Sequence, residues 1–444
     1  MNKVLILGAG LVVKPMVEFL LAKNFSVKIA TTTKEKADRM IKGHPKGSSL
    51  RWSTDEPDVL EKLVEENDIA VSFLPYRYHA MVAKACIRCR RPLVTTSYVQ
   101  PEMLALDEDA RKAGVILLNE TGLDPGIDHM TAMKVIDHIH EQGGRVDEFY
   151  SLCGALPAPE AADNPMKYKF SWSPKGVVLA SRNSAQYLRK GKIVNVESIN
   201  LFKDRFTYSF PGAGDLEVYP NRDSVSYIDI YKIPEALTMY RGTFRYKGWC
   251  ETLDVMKALN MLDDTVKDYS GMDYSGFLAE RAGKEKTKLR QGIMESLGLT
   301  GESVALESLD WLGFFSDEKI NAGTTSPFEI TAERMIGKML IEGNERDMVV
   351  MQHIFLASYP DGKKEVIKSS MLDFGTPETN TAVARTVALP AAIAVMMILA
   401  GKIDLAGVYR PVIPAIYNPI LNELRNLGID MKEEYDLPES EINL

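Results

Sequence analysis

Three short stretches of this chain carry residue types suited to holding an anion and moving a proton. Gly8-Ala9-Gly10 follows the apolar run Val4-Leu5-Ile6-Leu7 and leads through Leu11 and Val12 into an amphipathic pattern. The first glycine permits a tight turn, and the second lets backbone approach a pyrophosphate. The helix start beyond them offers N–H groups and a positive dipole end to that anion. The third fingerprint position, ordinarily Gly or Ala, is Val13, so a tight turn without a ligand is the competing reading. The second stretch is Ala30-Thr31-Thr32-Thr33-Lys34, at the end of the next apolar run. An NAD site normally has an acid there for the ribose 2′-hydroxyl. Three hydroxyls and a lysine suit a 2′-phosphate instead, so the expected cofactor is NADP, with NAD allowed. Thr33 also suits a plain helix cap.

The third set lies at later strand ends: Ser72-Phe73-Leu74-Pro75-Tyr76, Thr95-Thr96-Ser97-Tyr98, and Asn119-Glu120-Thr121-Gly122-Leu123-Asp124-Pro125-Gly126. Open α/β sheets bind ligands at the carboxyl ends of their strands, which places Tyr98 and Asp124 toward a nicotinamide. Asp124-Pro125-Gly126 reads equally well as an ordinary turn opening a helix.

The elements that must position these residues follow an alternating rhythm. Strand-type and helix-type patterns interleave from Val4 to Leu118, which predicts six strands with crossover helices in a doubly wound parallel sheet. Beyond Gly126 the rhythm changes to a mixed α+β pattern, with hairpin cues from Ile193 to Trp249 and a turn at Pro360-Asp361-Gly362-Lys363. The expected organisation is a Rossmann domain over 1–124, an α+β substrate domain over 125–385, and a C-terminal helical segment over 386–444 that packs back on the first domain.

Composition narrows the function classes. With 53 basic against 61 acidic residues, the net charge of -8 argues against a general nucleic-acid binder. No secretory signal pattern precedes the first strand, which points to the cytoplasm. The most apolar stretch, Val387 to Ala400, contains Pro390 and is too short to span a bilayer, so it predicts a buried core helix and no membrane association. Four cysteines fit a reducing compartment. Cys86-x-x-Cys89 has no second pair to complete a zinc site, and the six histidines show no ligand spacing; no metal is expected.

The run Cys153-Gly154-Ala155-Leu156-Pro157-Ala158-Pro159-Glu160, then Asn164-Pro165, then Tyr168-Lys169-Phe170-Ser171-Trp172-Ser173-Pro174-Lys175-Gly176-Val177, is very similar to the saccharopine reductase family, the glutamate-forming saccharopine dehydrogenases. Thr96-Ser97-Tyr98, Gly122 to His129, Gly343 to Val349 and Arg385-Thr386-Val387-x-Leu389-Pro390 resemble its other motifs. The resemblance spans essentially the whole chain. It implies NADP and no metal. The family's cofactor positions fall on Gly8, Ala9, Gly10, Leu11, Val12, Thr31, Thr32, Thr33, Ser72, Phe73, Leu74, Tyr76, Thr96, Leu123 and Trp172. Its substrate positions fall on Ser97, Tyr98, Asp124, Arg222, Thr243, Phe244 and Arg245, and its catalytic positions on Asp124, Cys153 and Tyr98. At the second strand end the family often has an arginine where this chain has Thr32, which leaves the strictness of NADP preference open.

The implied reaction interconverts saccharopine with glutamate plus allysine, acting on a CH–NH group in lysine metabolism. Three substrate carboxylates ask for arginine forks. Read without the resemblance, Arg222 and Arg245 are ordinary surface arginines. Two other functions stay open: a related imine reductase acting on another amine, of the carboxynorspermidine or homospermidine type, and a nucleotide-binding regulator with no turnover. A homodimer is allowed by the sequence, not required by it.

Overall fold

The computed structural model describes residues 2–377, 380–442 and 444. Its first sheet is built from short apolar runs: β1 (Lys3–Leu7), β2 (Ser26–Thr31), β3 (Gly47–Arg51), β4 (Ile69–Ser72), β5 (Leu93–Thr95) and β6 (Ile116–Leu118). They lie parallel in the order β3-β2-β1-β4-β5-β6. Val4, Leu5, Ile6 and Leu7 are all fully buried, as expected for a strand covered by helices on both faces. Leu5 and Leu7 pack with Leu60, Leu63 and Val82, while the intervening Val4 and Ile6 point the other way. Strand order reverses between β1 and β4, so the crevice for a ligand opens at the carboxyl ends of those two strands.

The C-terminal segment completes this sheet. Its strand Gly407–Tyr409 pairs in parallel with β6. The apolar helix spans Ala382–Leu399, longer than the stretch read from hydropathy, because Thr381 caps it by accepting a bond from the Ala384 N–H. It is the one helix among the described residues long and apolar enough to cross a membrane, but 72% of it is buried within the protein. It packs against the helices Lys14–Ala22 and Pro414–Asn426.

The second sheet is mixed. Its strands are β7 (Arg145–Pro157), β8 (Ala185–Arg189), β9 (Lys192–Val196), β10 (Phe206–Phe210), β11 (Gly214–Pro220) and β12 (Thr238–Arg245), with a separate ribbon of β13 (Lys267–Asp268) and β14 (Thr324–Thr325), then β15 (Asp347–Ser358) and β16 (Lys364–Phe374). The main path runs β10-β11-β12-β7-β15-β16 and ends on the strand Lys432–Leu437, and the β8–β9 hairpin attaches to β12. β15 and β16 form a hairpin whose turn includes Gly362 at φ 86°, a value that suits glycine.

The chain divides into two compact units, Met1–Gly144 with Tyr359–Asp361 and Thr379–Glu433, and Arg145–Ser358 with Gly362–Glu378 and Glu434–Leu444. The helix Ile127–Glu141 therefore belongs with the first unit, beyond the boundary expected at 124.

Candidate active site

The glycine turn has the form its sequence asks for. Gly8 sits at φ 103°, and a Cβ there would press on the Phe73 carbonyl at 3.3 Å. Above Gly10 nothing among the described residues lies within 4 Å of where a Cβ would stand, so backbone is open to a ligand. Val13 is fully buried and makes no side-chain cap on the helix Lys14–Ala22; Pro15 carries no N–H, and the Met16 and Val17 N–H groups donate to the Val13 carbonyl. Ala9 is buried, Val12 half-buried, and Leu11 is 60% exposed beside the turn.

At the end of β2, Thr32 and Thr33 are exposed, and the buried Thr31 hydroxyl lies 3.4 Å from that of Thr33. Thr33 occupies the cap position of the helix Lys34–Ile41 without making a side-chain cap bond. Lys34 reaches Asp38 at 2.8 Å on the surface, an exposed pair of small energetic weight. Arg51 ends β3 directly beside Thr31, the two being Cα partners in the sheet. No acidic residue stands at 31–34, so these groups fit a 2′-phosphate.

At the end of β4, Ser72 is fully buried and its hydroxyl lies 2.9 Å from His79 Nδ1, so the side chain turns inward to that ring. Phe73 donates its N–H to the Leu7 carbonyl, Leu74 is half-buried, and Tyr76 is 61% exposed. His79 is 4% exposed and its Nε2 also lies 2.8 Å from the Ser97 hydroxyl. Burial pushes its pKa down to about 4, so it is a neutral ring that ties the ends of β4 and β5 together. Sequence reading missed it, because a single histidine without ligand spacing carries no signal.

Tyr98 and Asp124 meet. The Tyr98 hydroxyl donates to Asp124 Oδ1 at 2.6 Å, a short charge-assisted bond. The Asp124 loop is tight: the Gly122 N–H donates to the Pro125 carbonyl at 2.9 Å, and the Asp124–Pro125 peptide is cis. Gly126 at φ 150° cannot be replaced, since a Cβ would stand 2.0 Å from the Gly122 carbonyl oxygen. Thr96 packs against Gly122, and Leu123 is buried. Behind the pair lies a cluster that sequence reading did not single out. Glu120, 2% exposed, accepts from the Val99 N–H at 2.8 Å and from Arg410 Nε at 2.9 Å on Oε1. His129 Nε2 stands 2.8 Å from its Oε2. Burial works to raise the Glu120 carboxyl, but His129 and Arg410 hold it down to about 2.

In the second unit the strand alternation sorts the remaining residues. Arg241, Thr243 and Arg245 share one face of β12, and the intervening Tyr240 and Phe244 enter the hydrophobic core. Phe244 is fully buried there, so its ring is directed away from Thr243 and Arg245. Cys153 on β7 pairs in register with Thr243, which pairs in turn with Tyr219 on β11. Cys153 is 8% exposed, and none of the four cysteines is in a disulfide. Arg245 is 5% exposed, with its guanidinium 4.8 Å from the Tyr168 ring centre and 5.5 Å from that of Trp249. Its Nη1 donates to the Phe244 carbonyl, and its Nε has no hydrogen-bond partner among the described residues. No carboxylate within salt-bridge distance of it is found among the described residues. Glu217, its partner across the strands, turns to Arg205 instead. Trp172 is half-buried against the core. Arg222 is different: it is exposed on the turn after β11, at φ 51°. Arg241, 2% exposed and 4.3 Å from the Tyr227 ring centre, is a buried arginine the sequence did not flag, although strand alternation alone puts it on the face of Thr243.

Two family models match the chain: a saccharopine dehydrogenase NADP binding domain over residues 4–118 and a saccharopine dehydrogenase C-terminal domain over residues 122–429. The chain is 36% identical, over 98% of its length and 99% of the relative's, to the saccharopine dehydrogenase [NADP(+), L-glutamate-forming] of Schizosaccharomyces pombe. It is 38% identical, with the same coverage, to the enzyme of that name from Saccharomyces cerevisiae. The solved apo structure of the L-Glu-forming saccharopine dehydrogenase from Saccharomyces cerevisiae superposes with a TM-score of 0.90 at 37% identity, covering 98% of this chain and all of that one. The chain belongs to the saccharopine dehydrogenase family.

Proposed function

We propose that this chain is an NADP-dependent oxidoreductase that interconverts saccharopine with glutamate and allysine, and that Tyr98, Asp124, Cys153 and Arg245 carry the reaction. The observation that bears most weight is the 2.6 Å Tyr98–Asp124 bond at the carboxyl ends of the first sheet's strands. NADP, when bound, exchanges a hydride with the carbon of the CH–NH group. Read toward cleavage, saccharopine, NADP+ and water give glutamate, allysine, NADPH and a proton. The protein's part is to hold the carbon in line and to move protons on nitrogen and water.

The open backbone at Gly10 and the hydroxyls of Thr31, Thr32 and Thr33 support a phosphate-rich cofactor. Arg51, beside Thr31, adds a cation for the 2′-phosphate in place of the arginine missing at Thr32. Asp124 accepts the proton from nitrogen or from the attacking water, and Tyr98 relays it. Arg245 binds a substrate carboxylate, with Thr243 and Cys153 on the same sheet face. A cytoplasmic setting belongs to the same proposal, supported by four cysteines outside any disulfide.

The decisive assay follows NADPH oxidation with allysine plus glutamate, beside a panel in which other amines replace glutamate. Turnover with glutamate at least tenfold above every other amine is the expected result. Turnover with a polyamine instead would overturn the substrate, and NADPH binding with no turnover on any pair would overturn the enzyme.

A further inference from the structure

The Tyr98–Asp124 pair is held by short loops on either side, and one buried ionic cluster clamps both loops. On the Tyr98 side, the Glu120 N–H donates to the Ser97 carbonyl at 3.2 Å and the Glu120 carboxylate accepts from the Val99 N–H at 2.8 Å. These two bonds bracket Tyr98. On the Asp124 side, the Gly126 N–H donates to Asp128 Oδ1 at 2.6 Å and the Asp128 N–H donates to the Leu123 carbonyl at 3.1 Å. These two bracket Asp124 and Pro125. His129 joins the halves, with Nε2 2.8 Å from Glu120 Oε2 and Nδ1 3.7 Å from Asp128 Oδ2. Arg410, which follows the C-terminal strand, fixes Glu120 from behind at 2.9 Å. Glu120, Asp128 and His129 are 2% exposed or less. Glu120 also adopts a left-handed backbone at φ 56°, uncommon for a residue with a side chain, which the bonds at its N–H and its carboxylate hold in place.

We infer that Glu120 and His129 are positioning residues that set the distance and angle between Tyr98 and Asp124. The inference rests on the proposed role of that pair. A charged cluster buried among loops costs desolvation and is weak evidence for stability. Here two carboxylate bonds of the cluster, to the Val99 and Gly126 N–H groups, and two main-chain bonds of the same residues, to the Ser97 and Leu123 carbonyls, flank two proton-transfer side chains, and a misplacement of about 1 Å in such a pair costs roughly 10²-fold in rate.

The test is a double-mutant cycle in the full-length protein, between Glu120→Gln and Tyr98→Phe, reading kcat for saccharopine oxidation and the NADPH dissociation constant by fluorescence. Glu120→Gln keeps an acceptor for the Val99 N–H and removes the charge that faces His129 and Arg410. In the parent it should lower kcat about 10²-fold and leave NADPH affinity unchanged. On the Tyr98→Phe background it should cost less than about threefold, because the geometry it maintained no longer matters. Equal losses on both backgrounds, or none on the parent, overturn the positioning role. If Tyr98→Phe alone leaves kcat intact, the failure belongs to the catalytic reading instead. His129→Gln is the second variant and should give the same pattern. If both variants melt below the assay temperature even with NADPH bound, the cluster is purely structural and the inference falls.

Discussion

Arg245→Met separates a substrate-binding arginine from a structural one, because the two roles predict opposite effects on the empty protein. Arg245 is 5% exposed, no carboxylate pairs with it among the described residues, and its Nε has no hydrogen-bond partner there. A buried unpaired ion carries a desolvation cost of several kcal/mol. Stacking on Tyr168 and Trp249, at 4.8 and 5.5 Å, offsets about 0.5–2 kcal/mol for each ring, and the bond to the Phe244 carbonyl offsets about 1.5–3 kcal/mol more. The sum is close to zero, so the charge contributes little to the fold until an anion arrives. Methionine keeps most of the stem's volume and its contact with the rings, and it removes the charge. The melting temperature of the variant without ligand should therefore stay level or rise. Saccharopine, with a carboxylate left unpaired, should lose about 2–5 kcal/mol, which corresponds to roughly 30- to 5,000-fold in KM. Differential scanning calorimetry and initial-rate kinetics on the same preparation decide the matter. A clear drop in melting temperature with saccharopine KM within about threefold of the parent, on the order of 0.7 kcal/mol, would refute the reasoning.

Other outcomes follow from the same geometry. Asp124→Asn should lower kcat by about 10²–10⁴-fold with the protein folded, and a lower melting point with intact turnover would return Asp124 to the role of a turn residue. NADPH should bind more tightly than NADH in fluorescence titrations, with Thr32→Asp shifting the preference toward NADH; equal affinities in the parent would sink the 2′-phosphate reading. Burial holds the His79 pKa down to about 4 from the ordinary 6.5, so the unfolded chain takes up its proton first as pH falls. Stability from the neutral ring is present above about 6.5 and is lost between about 6.5 and 4; His79→Gln should flatten that part of a melting-temperature profile by one proton's worth of slope, and an unchanged slope counts against it. Gly126→Ala should cost both stability and turnover, because the new Cβ would stand 2.0 Å from the Gly122 carbonyl oxygen; a variant with parental melting temperature and kcat would show the loop to be more yielding than its φ of 150° implies.

Local pattern was enough for much of this protein. The apolar runs at β1, β2 and β4, the glycine turn at Gly8 and the apolar helix around Pro390 were legible because each is set by neighbours within a few residues: strand burial on both faces, a positive φ, a long hydrophobic stretch. The motif runs carried the family for the same reason. Tertiary structure decided what depends on partners far along the chain. Glu120 meets Arg410 across 290 positions, and His79 joins the ends of two different strands, so neither had a local signature. Ser72 and Phe244 stand in or beside strands whose faces only the sheet register assigns: Ser72 turns in to His79, and Phe244 enters the core, while Arg241 and Arg245 share the opposite face of β12. A buried polar group must find its partner wherever the fold brings one, and that partner can lie at any distance along the chain.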